Sequence, residues 1–466
     1  MKNSPEFPLI FMALSSIGAV AVCLNSWWTS DELKYGFMDS KVKLVFTDEQ
    51  RLAKIKGFVS EMGVQTVLCR HQNSDKSDEF WNSVLTSKHN ELPRTKIDQD
   101  SDFAVMYTSG STGHPKGVVM THRGAISTLM SWHFGLRVLD VMGLGPVPYV
   151  DKNNQPYQPC QLVSVPFFHV SGTHGGLLLA LWSGTKLVIM KKWDPPEAVR
   201  LIELEKVSRF GGVPTMAAEI LGEAKKVGAK LESIRLIDTG GAARPADQAR
   251  EMAESIPNVL TGTSYGMTET NALGIAIRGK EYLENPEVTG RLIAPLAEMR
   301  IVDEFDNDVE IGDVGELVLK SSANMRCYLN KDAETSEVLK DGWLYTGDLA
   351  KIDKNELITL VDRKKNIIIR GGENISAQEV QTVILDHPDV IEAAIFALPN
   401  ERLGEIVGAC VFCVETSNAD EDSLKEFLRK SLAAYKIPEH IWFKKKPLPR
   451  VASEKIDVEA LKKEYS

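Results

Sequence analysis

The first hint of chemistry is the run "YTSGSTGHPKG", Tyr107 to Gly117, which crowds three glycines, four Ser/Thr hydroxyls, a proline and a lysine together. Glycine lets a backbone approach a ligand closely. Hydroxyls, bare N–H groups and one ammonium are what a polyphosphate wants around it. The run follows "FAVMY", which reads as a strand, and precedes "AISTLMSW", which reads as a helix, a common setting for anion binding at a turn. Neither GxxxxGK[ST] nor GxGxxG can be read through it, so it is not a Walker loop or a dinucleotide fingerprint. A lone Gly/Ser/Thr run is more often a surface loop; the definite order here and Lys116 at its end weigh against that reading.

Four more segments follow along the chain: "SYGMTET" (264–270), "GWLYTGDLA" (342–350), "DRKKNIIIRGGENI" (362–375) and "LPRVASEKID" (448–457). With the first loop they resemble, in order and over nearly the whole chain, the signature motifs of the adenylate-forming superfamily. That family comprises acyl- and aryl-CoA synthetases, peptide-synthetase adenylation domains and firefly-type luciferases. The resemblance implies ATP, magnesium and coenzyme A as cofactors and a small-molecule carboxylic acid as substrate. It also implies roles for particular residues. Thr108, Ser109, Gly110, Ser111, Thr112, Gly113 and Lys116 would cradle the β- and γ-phosphates. Tyr265 and Gly266 would meet the adenine, with Gly240, Gly241 and Ala242 walling the site. Thr268 would hold the α-phosphate and Glu269 the magnesium, a hard cation suited to oxygen ligands. Asp348 would accept hydrogen bonds from the ribose hydroxyls, and Arg363 would reach the same sugar.

Lys455 matches the family's catalytic lysine, which bridges the incoming carboxylate and the α-phosphate. The family usually has Gly just before it, whereas this chain has Glu454, which would restrict the loop's dihedrals and compete for Lys455. Lys365 falls at the family's hinge, about which the C-terminal domain rotates between adenylating and thiol-transferring states. After rotation Gly371 and Gly372 would leave room for a pantetheine arm. In "VPFFHVSGTHGG" (165–176) His169 resembles the gate between acid and thiol channels, and Gly211 and Val213 would line the acid pocket. The apolar residues nearby, including Phe167, Phe168 and Val170, favour a fatty or aromatic acid over an amino acid, whose ammonium would need a carboxylate. The expectation is an AMP-forming acid–thiol ligase acting on a fatty acid. An aryl-CoA ligase, an adenylating domain serving a carrier protein and a truncated non-catalytic relative stay open.

These residues need a scaffold, and the pattern around them supplies one. Runs such as "KLVFTD" (43–48), "TVLC" (66–69), "QLVSVPFF" (161–168) and "TKLVIM" (185–190) read as strands, while "PPEAVRLIELEKV" (195–207) and "PTMAAEILGEAKKVG" (214–228) read as helices. Such alternation predicts an α/β fold built on parallel sheets. Residues 1–361 would form a large N-terminal domain of α/β layers with a β-barrel-like subdomain over about 290–361; "EMRIVDEFDNDVEIGDVGELVLK" suggests its hairpins. Residues 362–466 would form a small mobile α+β C-terminal domain, with "SAQEVQTVILDH" and "DSLKEFLRKSLAAY" helical and "IEAAIFAL" a strand.

Composition sets the outer bounds. Hydrophobic residues make up 43% and charged residues 25%, ordinary for a globular chain. A net charge of -10 argues against nucleic acid as a partner. The six cysteines are too few and scattered for a disulfide scaffold, and the CxxC of Cys410 and Cys413 sits in the apolar run "GACVFCVE", which reads as a buried strand. "PLIFMALSSIGAVAVCL" (8–24) is short for a membrane span and reads as a buried helix running into a strand, with cytoplasm the default location. The family pattern is entered late, so an apolar face or sheet edge near the front would be left uncovered, to be closed by a partner or a homodimer.

Overall fold

The computed structural model describes residues 1–70, 83–84, 86–88, 91–108, 115–240, 246–370, 373–432, 434–451 and 454–465. Among these residues the strands assemble into five sheets. The first carries the phosphate-loop candidate. Asp102–Thr108 runs antiparallel to Lys116–Thr121, with Ala21–Cys23 parallel on one side and Cys327–Tyr328 antiparallel on the other. Both faces of its central strands are buried, which is why "FAVMY" and "GVVM" are unbroken apolar runs rather than alternating ones. Ala104, Met106, Val118 and Met120 face Phe11, Phe167 and Leu177, while Val105, Tyr107 and Val119 face Trp28 and Tyr35.

The second sheet is the α/β layer the alternation predicted. Lys186–Ile189, Cys160–Val163, Arg209–Gly212, Leu236–Gly240 and Leu260–Tyr265 are parallel neighbours in that order, followed by antiparallel Ile275–Arg278 and Arg291–Leu292. Helices Pro195–Glu205 and Pro214–Val227 cover one face and bury Ile202, Met216 and Ile220 against Phe210 and Ile237. Each of these side chains contributes about 1.5–3 kcal/mol on burial. The first helix begins where the sequence suggested, with Asp194 accepting from the Glu197 N–H and proline in the first turn. The other face is covered by a π-helical segment, Ser171–Leu178, and the helix His122–Val141 behind it.

Ala297–Val302, Gly315–Ser321, Trp343–Ile352, Ile358–Arg363 and Leu339–Lys340 form an antiparallel sheet, which includes the expected hairpin. Beyond residue 366, Glu373–Ser376, Ile367–Arg370, Gly404–Cys413 and Val390–Asn400 pair antiparallel, with His440–Lys444 added in parallel. Helices Ala377–Leu385 and Glu421–Leu428 close the core on one face, and Cys410 is buried as a strand residue in the cluster on the other, with Phe396, Leu448 and Leu461. Asp362 bridges these two sheets. Its Oδ2 accepts from the Ser376 hydroxyl at 2.8 Å and from the Gln378 N–H at 2.9 Å, where that helix begins.

Three expectations need correction. The strand and the helix read on either side of the Gly/Ser/Thr run are present, but the run does not lead directly into the helix: a strand, Lys116–Thr121, paired with Asp102–Thr108, comes before the helix His122–Val141. "QLVSVPFF" is a strand only to Val163, because Pro166 cannot donate to a ladder and its carbonyl instead accepts a turn bond from the His169 N–H at 3.1 Å. "DSLKEFLRKSLAAY" is helical only to Leu428. The segment at 6–23 is a helix, Glu6–Ser16, leading to a strand as expected, and among the described residues no helix is long and apolar enough to cross a membrane. Apolar side chains are exposed on this helix (Leu9, Met12) and along one stripe of His122–Val141 (Ile126, Met130, Phe134, Val138).

Candidate functional site

The sequence motifs converge on one crevice beside the C-terminal ends of the parallel strands, the usual place for ligands in such sheets. Tyr265 ends the strand Leu260–Tyr265, and its hydroxyl donates to Asp348 Oδ2 at 2.6 Å. Asp348 and Arg363 are direct cross-strand partners, and Arg363 Nε meets Asp348 Oδ1 at 2.9 Å. Asp348 is thus buried but fully engaged, while its guanidinium partner is half exposed. Burial and the neighbouring Asp348 push the Tyr265 hydroxyl well above its ordinary pKa, so it stays a donor.

Glu269 lies in the short turn Thr268–Thr270, a few residues on. The turn is pinned by the Met325 N–H, which donates to the Glu269 carbonyl at 2.6 Å. Gly266 before it is obligatory, since a Cβ there would lie 2.3 Å from the Ala272 carbonyl oxygen. The Glu269 carboxylate is buried, and Oε1 accepts from the Tyr328 hydroxyl at 2.9 Å. Burial raises its pKa, with the backbone, Tyr328 and Arg363 opposing. A buried carboxylate so disfavoured as an anion is well placed to take a hard cation, and one protein carboxylate plus phosphate oxygens suits magnesium. Lys116 stands 5.0 Å from the Tyr328 ring centroid, so its ammonium and the Glu269 carboxylate share one tyrosine. Tyr328 belongs to none of the motifs read from the sequence; only the pairing of Cys327–Tyr328 with Val118 and Val119 brings it here.

Lys455 arrives from the far end of the chain. Arg450 holds its loop: Nη1 donates to the Glu454 carbonyl at 2.7 Å, and Nη2 pairs with buried Glu392, which also accepts from the Leu448 N–H at 2.7 Å. Lys455 is open to solvent yet set deep among surrounding groups, as at the floor of a cleft. That setting lowers its pKa, reinforced by Arg363 and opposed by Asp348. Glu454 adopts φ +64°, the left-handed conformation that a glycine would take without strain. The expected competition for Lys455 is not seen: the charges acting on the Glu454 carboxyl are Arg450, Glu219 and Lys192.

His169 faces Lys455 from the substrate side. Its Nε2 is buried without a hydrogen-bond partner among the described residues. Burial, then Lys455, pushes its pKa down to about 4, so it is neutral at physiological pH. His174, in the π-helix, donates from Nε2 to Asn271 Oδ1 at 2.9 Å, and Asn271 Nδ2 donates to the Ala323 carbonyl at 2.7 Å. This buried relay, absent from the sequence reading, ties the π-helix to the Glu269 turn. Val213 is buried at the start of the helix Pro214–Val227, and Gly211 opens onto the sheet face under the π-helix. Thr108 and Lys116 are cross-strand partners at the facing ends of their strands, Gly240 ends the strand Leu236–Gly240 and Thr268 opens the Glu269 turn. Ser109, Gly110, Ser111, Thr112, Gly113, Gly241, Ala242, Gly371 and Gly372 lie outside the described residues, as does the Lys365 side chain; the Lys365 backbone forms a short turn at 364–366.

Residues 1–329 match the AMP-binding enzyme family and residues 379–455 its C-terminal domain. The chain belongs to the AMP-binding enzymes. It is an adenylate-forming enzyme of the acid–thiol ligase type. It is 30% identical to the 4-coumarate–CoA ligase CCL1 of Humulus lupulus, over 94% of this chain and 78% of that protein. Among solved structures it is similar to the o-succinylbenzoate CoA synthetase of Bacillus subtilis in complex with its acyl-adenylate intermediate, at TM-score 0.81 and 26% identity over 99% of this chain and 86% of that one. It is also similar to a Mycobacterium tuberculosis fatty acyl CoA synthetase, at TM-score 0.72 and 27% identity over 100% and 87%. The Bacillus enzyme has also been solved with ATP and magnesium ion. The N-terminal α/β layers, the antiparallel subdomain and the small C-terminal domain are those of this family's fold.

Proposed function

We propose that the protein joins an aryl carboxylic acid to coenzyme A through an acyl-adenylate. The observation that carries this is the convergence of Lys455, Asp348, Arg363 and His169 in one crevice, although the first and last are 286 positions apart in the sequence (455 − 169). The names of the curated relatives, all 4-coumarate–CoA ligases or a ligase-like protein, support an aryl acid over the fatty acid expected from the sequence.

In this reading ATP lies with its adenine toward Tyr265 and its ribose on Asp348, where Arg363 already marks the hydrogen-bonding direction. Thr108, Lys116 and the loop between them take the β- and γ-phosphates, and Thr268 takes the α-phosphate. Glu269 would hold magnesium, which supplies positive charge to the phosphates. An acid oxygen attacks the α-phosphorus, a new P–O bond forms, and the bond to pyrophosphate breaks. Two anions meet in that step, so a positioned cation matters most. The Lys455 ammonium fills that place; its deep setting and Arg363 lower its pKa, Asp348 offsets part of that, and an anionic ligand would offset more. The C-terminal domain, 362–466, then turns about Lys365 and removes Lys455. Coenzyme A attacks the acyl carbon through sulfur, its proton passes to solvent, and AMP leaves.

Acid- and CoA-dependent AMP formation, scored over short-chain, long-chain and aryl acids, tests the reading. Lys455→Ala should lower acid-dependent pyrophosphate release about 10²–10³-fold, the scale of one lost electrostatic contact, while thioester formation from supplied acyl-adenylate persists. Equal loss of both half-reactions, or no AMP with any acid, defeats it.

A further inference from the structure

The acid's far end would lie on the sheet face beneath the π-helix, and this face is not apolar throughout. Gln161, Arg209, Gly211 and Asp238 share it, because Gln161 is paired with Arg209 and Gly211 with Asp238 in register, while Phe210 between them points into the opposite core. Three of these groups are accounted for. Gln161 Nε2 donates to the Gly175 carbonyl at 3.1 Å, Asp238 pairs with Arg278, and Gly211 has no side chain, a Cβ there making only ordinary contacts at 3.8 Å to the Asp238 carbonyl oxygen and 3.9 Å to Gln161 Nε2. A Cβ on Gly175 would meet nothing within 4 Å.

Arg209 is the exception. It is half-buried, and among the described residues it has neither an ion-pair nor a hydrogen-bond partner. Burial lowers its pKa, and the one carboxylate acting on it, Asp140, is already paired with Arg137 at 3.2 Å. A half-buried guanidinium with no anion beside it is poorly compensated, which makes it a candidate for a charge supplied by a ligand. Arg209 lies four residues before Val213, a distance of about 13 Å along a strand.

We infer that Arg209 selects acids carrying a second carboxylate at the end remote from the one activated. The inference rests on the ligase reading and adds to it the class of acid. Gly211, on the same face between Arg209 and Val213, presents no side chain to a flat body, and the guanidinium fork receives the distal carboxylate in bidentate fashion.

Three acids of one shape provide the test: 4-carboxycinnamate, 4-hydroxycinnamate and 4-methylcinnamate, each assayed for acid-dependent pyrophosphate release. The wild type should show a KM for the carboxy acid at least tenfold below that for the methyl acid. Arg209→Met should erase this difference with little change in kcat or in the KM for ATP, and Arg209→Lys should restore part of it. Calorimetric binding of the same acids without ATP reads the preference independently of turnover. Thermal denaturation checks that each variant folds; Arg209→Gln replaces Arg209→Met if the latter does not. A wild type that prefers the methyl or hydroxy acid, or a variant that weakens all three alike, overturns the role of Arg209 and leaves the ligase reading intact. Absence of pyrophosphate release with every acid defeats the ligase reading instead, and the calorimetric preference then decides on Arg209 alone.

Discussion

Tyr328→Phe isolates one oxygen in the site. The ring stays, so Lys116 keeps its aromatic neighbour at 5.0 Å, but the 2.9 Å hydrogen bond to Glu269 is lost. A hydrogen bond to a charged group is worth about 1.5–3 kcal/mol. The pH dependence follows from the direction of the Glu269 shift. Its folded pKa is raised, so the ionised carboxylate opposes folding above the ordinary carboxylate range and the protonated form does not. Tyr328 offsets part of that opposition only while Glu269 is charged. Urea denaturation should therefore show the variant destabilised by about 1.5–3 kcal/mol at pH 8 and by much less at pH 5. The same loss raises the Glu269 pKa further, because it removes a donor that favours the ionised form. The acid limb of pyrophosphate release should move up in pH accordingly, with a weaker dependence on magnesium at its foot. Equal destabilisation at both pH values with an unmoved acid limb would refute this reasoning and leave Tyr328 as a packing residue.

Two further outcomes follow from the same geometry. Glu454→Gly relieves a left-handed backbone that costs a non-glycine residue about 1–2 kcal/mol, so it should stabilise the C-terminal domain by about 1 kcal/mol. Its pyrophosphate release should be unchanged, because Glu454 does not act on Lys455; a large rise in rate would restore the competition idea. His174 is fully buried with its pKa pushed down to about 4, so the stability linked to its neutral form is complete above about pH 6.5 and is lost as pH falls toward 4. That contribution is about 3 kcal/mol, and His174→Gln, which retains a donor for Asn271, should flatten the denaturation midpoint between pH 7 and pH 4.5.

Much of this protein was legible as local pattern. Hydrophobic periodicity marked the helices at 195–205 and 214–227, and branched runs marked the strands at 44–48 and 186–189, because burial and period are written in neighbouring residues. Ordered motifs named Asp348, Arg363, Tyr265, Glu269 and Lys455, which the fold gathers into one crevice. Local pattern failed in two ways. Lys116 enters a strand because Thr108 lies opposite, a pairing no single run displays, and Val163 ends one because Pro166, inside the apolar run, turns the chain.

The sequence alone determined the chemistry on offer: a run rich in glycine and hydroxyls ending in a lysine, a carboxylate at Asp348 and a second lysine, Lys455, near the far end of the chain. Tertiary structure alone decided the charge states and the company. It set Tyr328 between Lys116 and Glu269, tied His174 to Asn271, put the Glu454 carboxyl under the charges of Arg450, Glu219 and Lys192 and left Arg209 without an ion-pair partner among the described residues. The reason is physical. Residue type fixes what a group can donate, accept or carry, whereas its pKa and its partner depend on how much water the fold removes and which charges it brings within a few ångströms.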